Sequence, residues 1–236
     1  MLIQCDASAL EWRVAVELSK DPIGIQEIVE GQDVHSNNQS AFDLPSRLIA
    51  KIFLFRTIYR GSGYAFANDP DFMHVSASQK FWDGMNEKFY AKYKGLDAKH
   101  KEWMRIVAMG KPIEGPMRDW FIPMGVNYKG ESKLPINALT NYPVQGTGAD
   151  VMMIARISAY RRIKAMEIPC DFISTVHDSI VLDTEEKYLE QLKKIFDDVF
   201  ADIPANIKKL FGYDWTVPMA CESKYGPNMK DMHKFK

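Results

Sequence analysis

Apolar and polar positions change period several times along the 236-residue chain, and each change predicts an element. Leu2-Ile-Gln-Cys reads as a strand over residues 1–5, and Ser8 with Glu11 three residues later has the spacing of a capping box opening a helix to about Leu18. Asp21-Pro22 stops that helix. Residues 23–135 read as mainly helical and rich in aromatics, including stretches from Asp43 to Gly61, Lys80 to Tyr93 and Lys99 to Met109, with breaks at Gly110-Lys-Pro112 and Gly115-Pro116. A helix from about Gly148 to Met166, a hairpin from Phe172 to Leu182 turning at His177-Asp178, an amphipathic helix from Glu185 to Phe200 and a strand near Trp215 to Glu222 follow. The pattern predicts an α+β protein with a small antiparallel sheet, helices on one of its faces and a largely helical middle.

Two aspartates end apolar runs where strands turn, Asp6 after Leu2-Ile-Gln-Cys and Asp178 in Ser174-Thr-Val-His-Asp-Ser-Ile-Val181. A two-metal phosphoryl-transfer site needs carboxylates from more than one segment, held rigidly a few ångströms apart, and neighbouring strands provide that. The plainer alternative for each is a turn residue or a helix cap. Between Asp43 and Gly61, Arg47, Lys51, Phe55 and Tyr59 recur at every fourth position, forming one stripe about 18 Å long at ~1.5 Å per residue. Two cations near a helix N-terminus followed by two aromatics suit a triphosphate, then a sugar and base. The alternative is a solvated basic face with aromatics in the core. Leu48, Ile49, Ile52, Leu54 and Ile58 are expected to supply the buried face.

Charge and cysteine use add constraints. The formal net charge of −1 announces no nucleic-acid partner in bulk, so basic residues would act locally, through Arg47, Lys51, Arg56 and Arg60 or through Arg156, Arg161, Arg162 and Lys164. Either cluster is also readable as a solvated face. Cys5, Cys170 and Cys221 lack metal-ligand spacing and read as small core residues in a reducing compartment. No stretch approaches the roughly 18 apolar residues of a membrane span, so a cytoplasmic location is expected, that of a host cell if the chain is phage-encoded.

These segments together resemble the family A DNA polymerases. Asp6-Ala-Ser-Ala-Leu-Glu-Trp-Arg13 is similar to the first palm motif, Arg47 to Gly61 to the fingers helix, Asn141-Tyr-Pro-Val-Gln-Gly-Thr-Gly-Ala-Asp150 to a fourth segment and Val176-His-Asp-Ser-Ile-Val181 to the second palm motif. The resemblance implies palm over residues 1–22 and 136–236 and fingers over 23–135, with thumb and exonuclease not included. It further implies two Mg²⁺ ions on Asp6 and Asp178, Lys51 as a third catalytic residue, and a deoxynucleoside triphosphate held by Arg47, Lys51, Phe55, Tyr59, Glu11 and His35. Glu11 would exclude a 2′-hydroxyl, while Arg13, Asn141, Gln145 and His177 would touch primer-template DNA.

Some positions depart from the family pattern. Ser179 stands where many members have glutamate, Arg60 where glycine usually follows the fingers tyrosine, and Asn137 where bacterial members often have arginine, so the chain is more similar to phage-encoded members. A polymerase split between polypeptides, with an N-terminal partner carrying the thumb, is expected, and with it an apolar seam beside Leu2 to Cys5. Other readings are a non-catalytic nucleic-acid-binding or assembly subunit and a single-subunit RNA polymerase.

Overall fold

The computed structural model describes residues 1–76 and 78–235. Strand β1 (Leu2–Ala7) leads into helices α1 (Leu10–Ser19), α2 (Pro22–Val29), α3 (Val34–Ala41) and α4 (Arg47–Thr57). Short helices α5 (Gly63–Ala67) and α6 (Pro70–Met73) precede the longer α7 (Gln79–Lys92) and α8 (Lys94–Ala108). A small hairpin, β2 (Gly125–Val126) and β3 (Ser132–Lys133), is followed by α9 (Ile136–Ala165), β4 (Cys170–Val176) and β5 (Ser179–Thr184). Helices α10 (Leu189–Ala201) and α11 (Ile203–Phe211) and strands β6 (Cys221–Gly226) and β7 (His233–Lys234) close the chain.

Two compact units result, one of Met1–Glu11 with Gly146–Lys236 and one of Trp12–Gln145. The first is built on a five-stranded antiparallel sheet of order β4-β5-β1-β6-β7. Strand period 2 sends Ile3, Cys5 and Ala7 into the core and leaves Leu2, Gln4 and Asp6 partly exposed. Leu189, Leu192, Ile195, Phe196, Val199 and Phe200 make the buried face of α10, at the 3.6-residue period, and α10 packs on β1 and β6. β1 is paired on both sides, so the sheet has no open edge at Leu2 to Cys5, where the apolar seam was expected.

The second unit is helical around an aromatic core. Phe53 lies 5.8 Å from Phe42, 5.5 Å from Phe66, 6.0 Å from Trp82 and 6.1 Å from Phe89, ring centroid to centroid. Edge-on and tilted pairs of this kind contribute beyond their area burial.

The structure corrects several boundaries. Ala9 takes a left-handed φ of 48° between β1 and α1, so the helix opens at Leu10 and Glu11 is its second residue, out of register with a Ser8 capping box. The sharp strand-to-helix turn sets that entry. Helix α9 starts at Ile136, well before Gly148, and absorbs Pro143. Proline forfeits one backbone hydrogen bond there, while burial of Leu139, Val144, Val151, Ala155, Ala159 and Ile163 along the helix offsets the loss. The last long strand is Cys221–Gly226, with Trp215, Val217 and Met219 packing as irregular core chain before it.

Candidate functional site

Asp6 and Asp178 meet through the sheet of the first unit. Asp6 faces Ser179 of β5 in the β1 register, and the amide of Ala7 donates to the Asp178 carbonyl at 2.9 Å. Asp178 is therefore at the hairpin turn beside the strand end that carries Asp6, and both are partly exposed. The turn is tight enough to hold exposed His177 at φ 52°, in the left-handed region. Ser179 is buried, and its hydroxyl donates to the Val176 carbonyl at 3.0 Å, tying the two hairpin strands together.

The sheet register also shows a neighbour that linear reading missed. Glu222 of β6 lies directly across from Asp6, with Lys234 bridging to it at 3.0 Å. Only strand pairing joins residues 216 positions apart. Among the described residues no three His, Cys, Asp or Glu side chains cluster as a self-sufficient metal site. Two carboxylates on adjoining strand ends do suit a hard divalent cation that takes its remaining oxygens from substrate and water. Glu11, in the first turn of α1, is partly exposed in the same unit.

In the second unit α4 begins after Ser46, whose hydroxyl accepts from the Ile49 amide at 3.2 Å, so Pro45 precedes the cap and lies outside the first turn. Ile49, Ala50, Phe53, Leu54, Thr57 and Ile58 form the buried face. Leu48 is exposed and Ile52 only partly covered, which corrects the expected face by one helical position. Arg47, Lys51 and Phe55 do share the outer stripe. Tyr59 follows just past the helix, in the turn where its amide donates to the Arg56 carbonyl at 3.2 Å.

His35 joins the stripe from α3. Its ring is 6.0 Å from that of Phe55, and the Lys51 ammonium is 5.7 Å from the Phe55 centroid. Burial first, then the Arg47 cation, holds the His35 imidazole below its ordinary pKa. Its Nδ1 is buried with no hydrogen-bond partner among the described residues. Asp33 was missed by the sequence reading as a partner of Arg47. Its Oδ2 accepts from Arg47 Nε at 2.6 Å while Oδ1 caps α3 through the His35 amide at 3.0 Å. The Arg47 hydrogen bond, mainly, lowers the Asp33 carboxyl to about 2.

A cavity of about 510 Å³ opens alongside, lined by Phe55, Arg56, Tyr59, Gly61, Asn141 and Tyr142, among others. Asn141 and Gln145 both lie within α9. Arg13 is a partly buried residue of α1. The basic clusters are partly occupied within the chain, Arg56 with Asp69, Arg60 with Asp97 and Arg162 with Asp202. Among the described residues no helix is long and apolar enough to cross a membrane.

An antiparallel sheet with Asp6 and Asp178 at adjoining strand ends, and a helical unit with a basic and aromatic helix, make up an α+β fold. The model of DNA polymerase family A matches residues 1–231, and the chain belongs to that family. It is 24% identical over 228 residues to DNA polymerase I of Aquifex aeolicus, covering 89% of this chain and 38% of that protein. It is 25% identical to the thermostable DNA polymerase I of Thermus aquaticus, covering 91% of this chain and 27% of the relative. The chain thus spans well under half the length of these relatives. A solved structure described as the POL domain of Pol1 from M. smegmatis in complex with DNA primer-template and dNTP shares the fold, with a TM-score of 0.78 at 20% identity, covering 95% of this chain and 39% of that one.

Proposed function

We propose that the chain is the catalytic portion of a template-directed DNA polymerase that adds deoxynucleotides to a primer 3′-hydroxyl in phage DNA replication. Residues 1–22 and 136–236 are assigned to the palm and 23–135 to the fingers. The observation carrying this reading is the meeting of Asp6 and Asp178 at adjoining strand ends. Asp6 and Asp178 would hold two Mg²⁺ ions, which when bound acidify the 3′-hydroxyl and neutralise charge on the departing pyrophosphate. The primer oxygen attacks the α-phosphorus, the bond to the β-phosphate oxygen breaks, and the hydroxyl proton passes to solvent.

Arg47, Lys51 and His35 are assigned to the triphosphate. Arg47 would exchange Asp33 for a phosphate oxygen, at small cost because an ion pair this exposed is worth about 0–1 kcal/mol. Lys51 would balance the charge developing as pyrophosphate leaves. Phe55 and Tyr59 would pack on sugar and base, with Glu11 beneath the sugar. Asn141, Gln145, His177 and Arg13 are assigned to the duplex, the polar side chains reading minor-groove acceptors that are nearly independent of sequence. This reading includes an N-terminal partner polypeptide that carries the thumb.

The test is primer extension with Mg²⁺ and four dNTPs, run beside Asp178→Ala. Extension is expected to fall by at least about 10³-fold in the variant, a loss of some 4 kcal/mol of transition-state stabilisation. Equal extension by both would remove the assignment. If neither extends a primer, Mg²⁺-dependent dNTP binding that Asp178→Ala abolishes would support a catalytic portion, and binding indifferent to the substitution would favour an assembly subunit.

A further inference from the structure

Arg60 holds a conformation that its side chain must justify. Helix α4 closes with the Arg60 amide donating to the Thr57 carbonyl and the Gly61 amide to the Arg56 carbonyl, both at 2.9 Å, and Arg60 itself at φ 57°. This is the left-handed C-terminal cap, where glycine is unstrained and a side chain is not. The chain keeps an arginine there, and its guanidinium is engaged twice. It lies 4.5 Å from the ring centroid of Tyr90 in α7, and it donates to Asp97 Oδ1 of α8 at 2.6 Å. Both charged side chains are about four-fifths buried, and Lys101 also donates to Asp97.

The surrounding backbone is held in the same way. The Tyr90 hydroxyl donates to the Thr57 carbonyl at 2.5 Å, and Asn86 Nδ2 donates to the Gly61 carbonyl at 2.9 Å. Burial pushes the Tyr90 phenol well above its ordinary pKa, so it keeps the proton it donates. The Thr140 hydroxyl is 3.2 Å from the Tyr59 carbonyl. Alternate carbonyls at Thr57, Tyr59 and Gly61 are thus met by side chains of α7 and α9, and the Arg60 side chain bolts the same turn to α7 and α8. Tyr59, between these fastenings, borders the cavity together with Phe55 and Asn141.

We propose that Arg60 is a positioning residue: by stacking on Tyr90 and pairing with Asp97 it fixes the turn that presents Tyr59 to the cavity, and so sets how strictly an incoming base pair is measured. This rests on the polymerase reading given above.

Arg60→Gly tests this cleanly, because glycine adopts φ 57° freely and only the side-chain fastening is removed. Amide hydrogen exchange at residues 59–61 is expected to quicken about tenfold in Arg60→Gly. In single-nucleotide insertion, KM for the correct dNTP is expected to rise about tenfold with kcat within about twofold, and misinsertion relative to correct insertion to rise. Arg60→Lys, which keeps the cation but not the planar stack, should recover part of each change. Unchanged exchange would overturn the latch. Faster exchange with unaltered KM and misinsertion would overturn its role in positioning Tyr59. If the unmodified chain and Asp178→Ala are equally silent in insertion, the polymerase reading is what fails, and exchange still decides whether the latch exists.

Discussion

Glu11 stands at the second position of α1, four residues beyond the end of β1, in the same unit as Asp6 and Asp178. A carboxylate placed against the sugar of an incoming nucleotide would leave no space for a 2′-hydroxyl. Glu11→Ala is therefore expected to raise ribonucleotide insertion by at least tenfold relative to deoxyribonucleotide, measured as the ratio of kcat/KM values. Sugar discrimination that stays at its original level would release Glu11 from this role. The four-residue spacing that singled out Lys51 and Phe55 does place both on the outer side of α4. Asp33 on Arg47, Glu222 across from Asp6 and the inward commitment of Arg60 were not legible in sequence. Each depends on a pairing between segments, which local periodicity does not encode.

Among the elements, α2 and α8 share a single fastening. Asp21 is fully buried; its Oδ1 accepts from the Ile23 and Gly24 amides at 3.1 and 3.0 Å, and its Oδ2 accepts from the Gly95 and Leu96 amides at 2.7 and 3.2 Å. One carboxylate thereby satisfies the first turns of two helices. The contact requires glycine at 95, since a Cβ there would lie 2.6 Å from the Asp21 Cα. A single cap contributes about 0.5–2 kcal/mol. Asp21→Ala is therefore expected to cost about 2–4 kcal/mol in urea unfolding, because it strands buried donors on both helices. A loss of only about 1 kcal/mol, the cost of one cap, would show that the second helix does not depend on it. In sequence, Asp21-Pro22 was readable as a stop for α1, but its grip on a helix more than seventy residues away was not. Element type was legible where periodicity was strong, as in α10 and the β4–β5 hairpin. It failed in α9, where Pro143, Gly146 and Gly148 imitate a loop and only burial along the helix keeps the chain helical.

For the whole molecule, the response to acid is set in part by a histidine outside the candidate site. His100 is fully buried, with its ring 5.9 Å from that of Tyr90 and 5.7 Å from that of Trp103, and among the described residues neither ring nitrogen has a hydrogen-bond partner. Burial, reinforced by the nearby Arg60 cation and opposed by Asp97, lowers its pKa to about 3. The unfolded chain would protonate this side chain near its ordinary 6.5. Between those two values the unfolded state holds the extra proton, so stability falls as pH falls, by about 1.4 kcal/mol per pH unit. From pH 7 to pH 5 the loss from this group is about 2 kcal/mol. His35, also lowered by burial, adds a loss of the same sign. Comparison with His100→Phe isolates the first contribution, since phenylalanine keeps an aromatic ring between Tyr90 and Trp103 and does not titrate. Urea unfolding at pH 7 and pH 5 should show the variant losing about 2 kcal/mol less than the unmodified protein. Equal losses would mean that His100 accepts its proton in the folded state at pH 5, in which case the ring must be able to reach Asp97 or water, and the tight packing around Tyr90 and Arg60 would have to open to allow it.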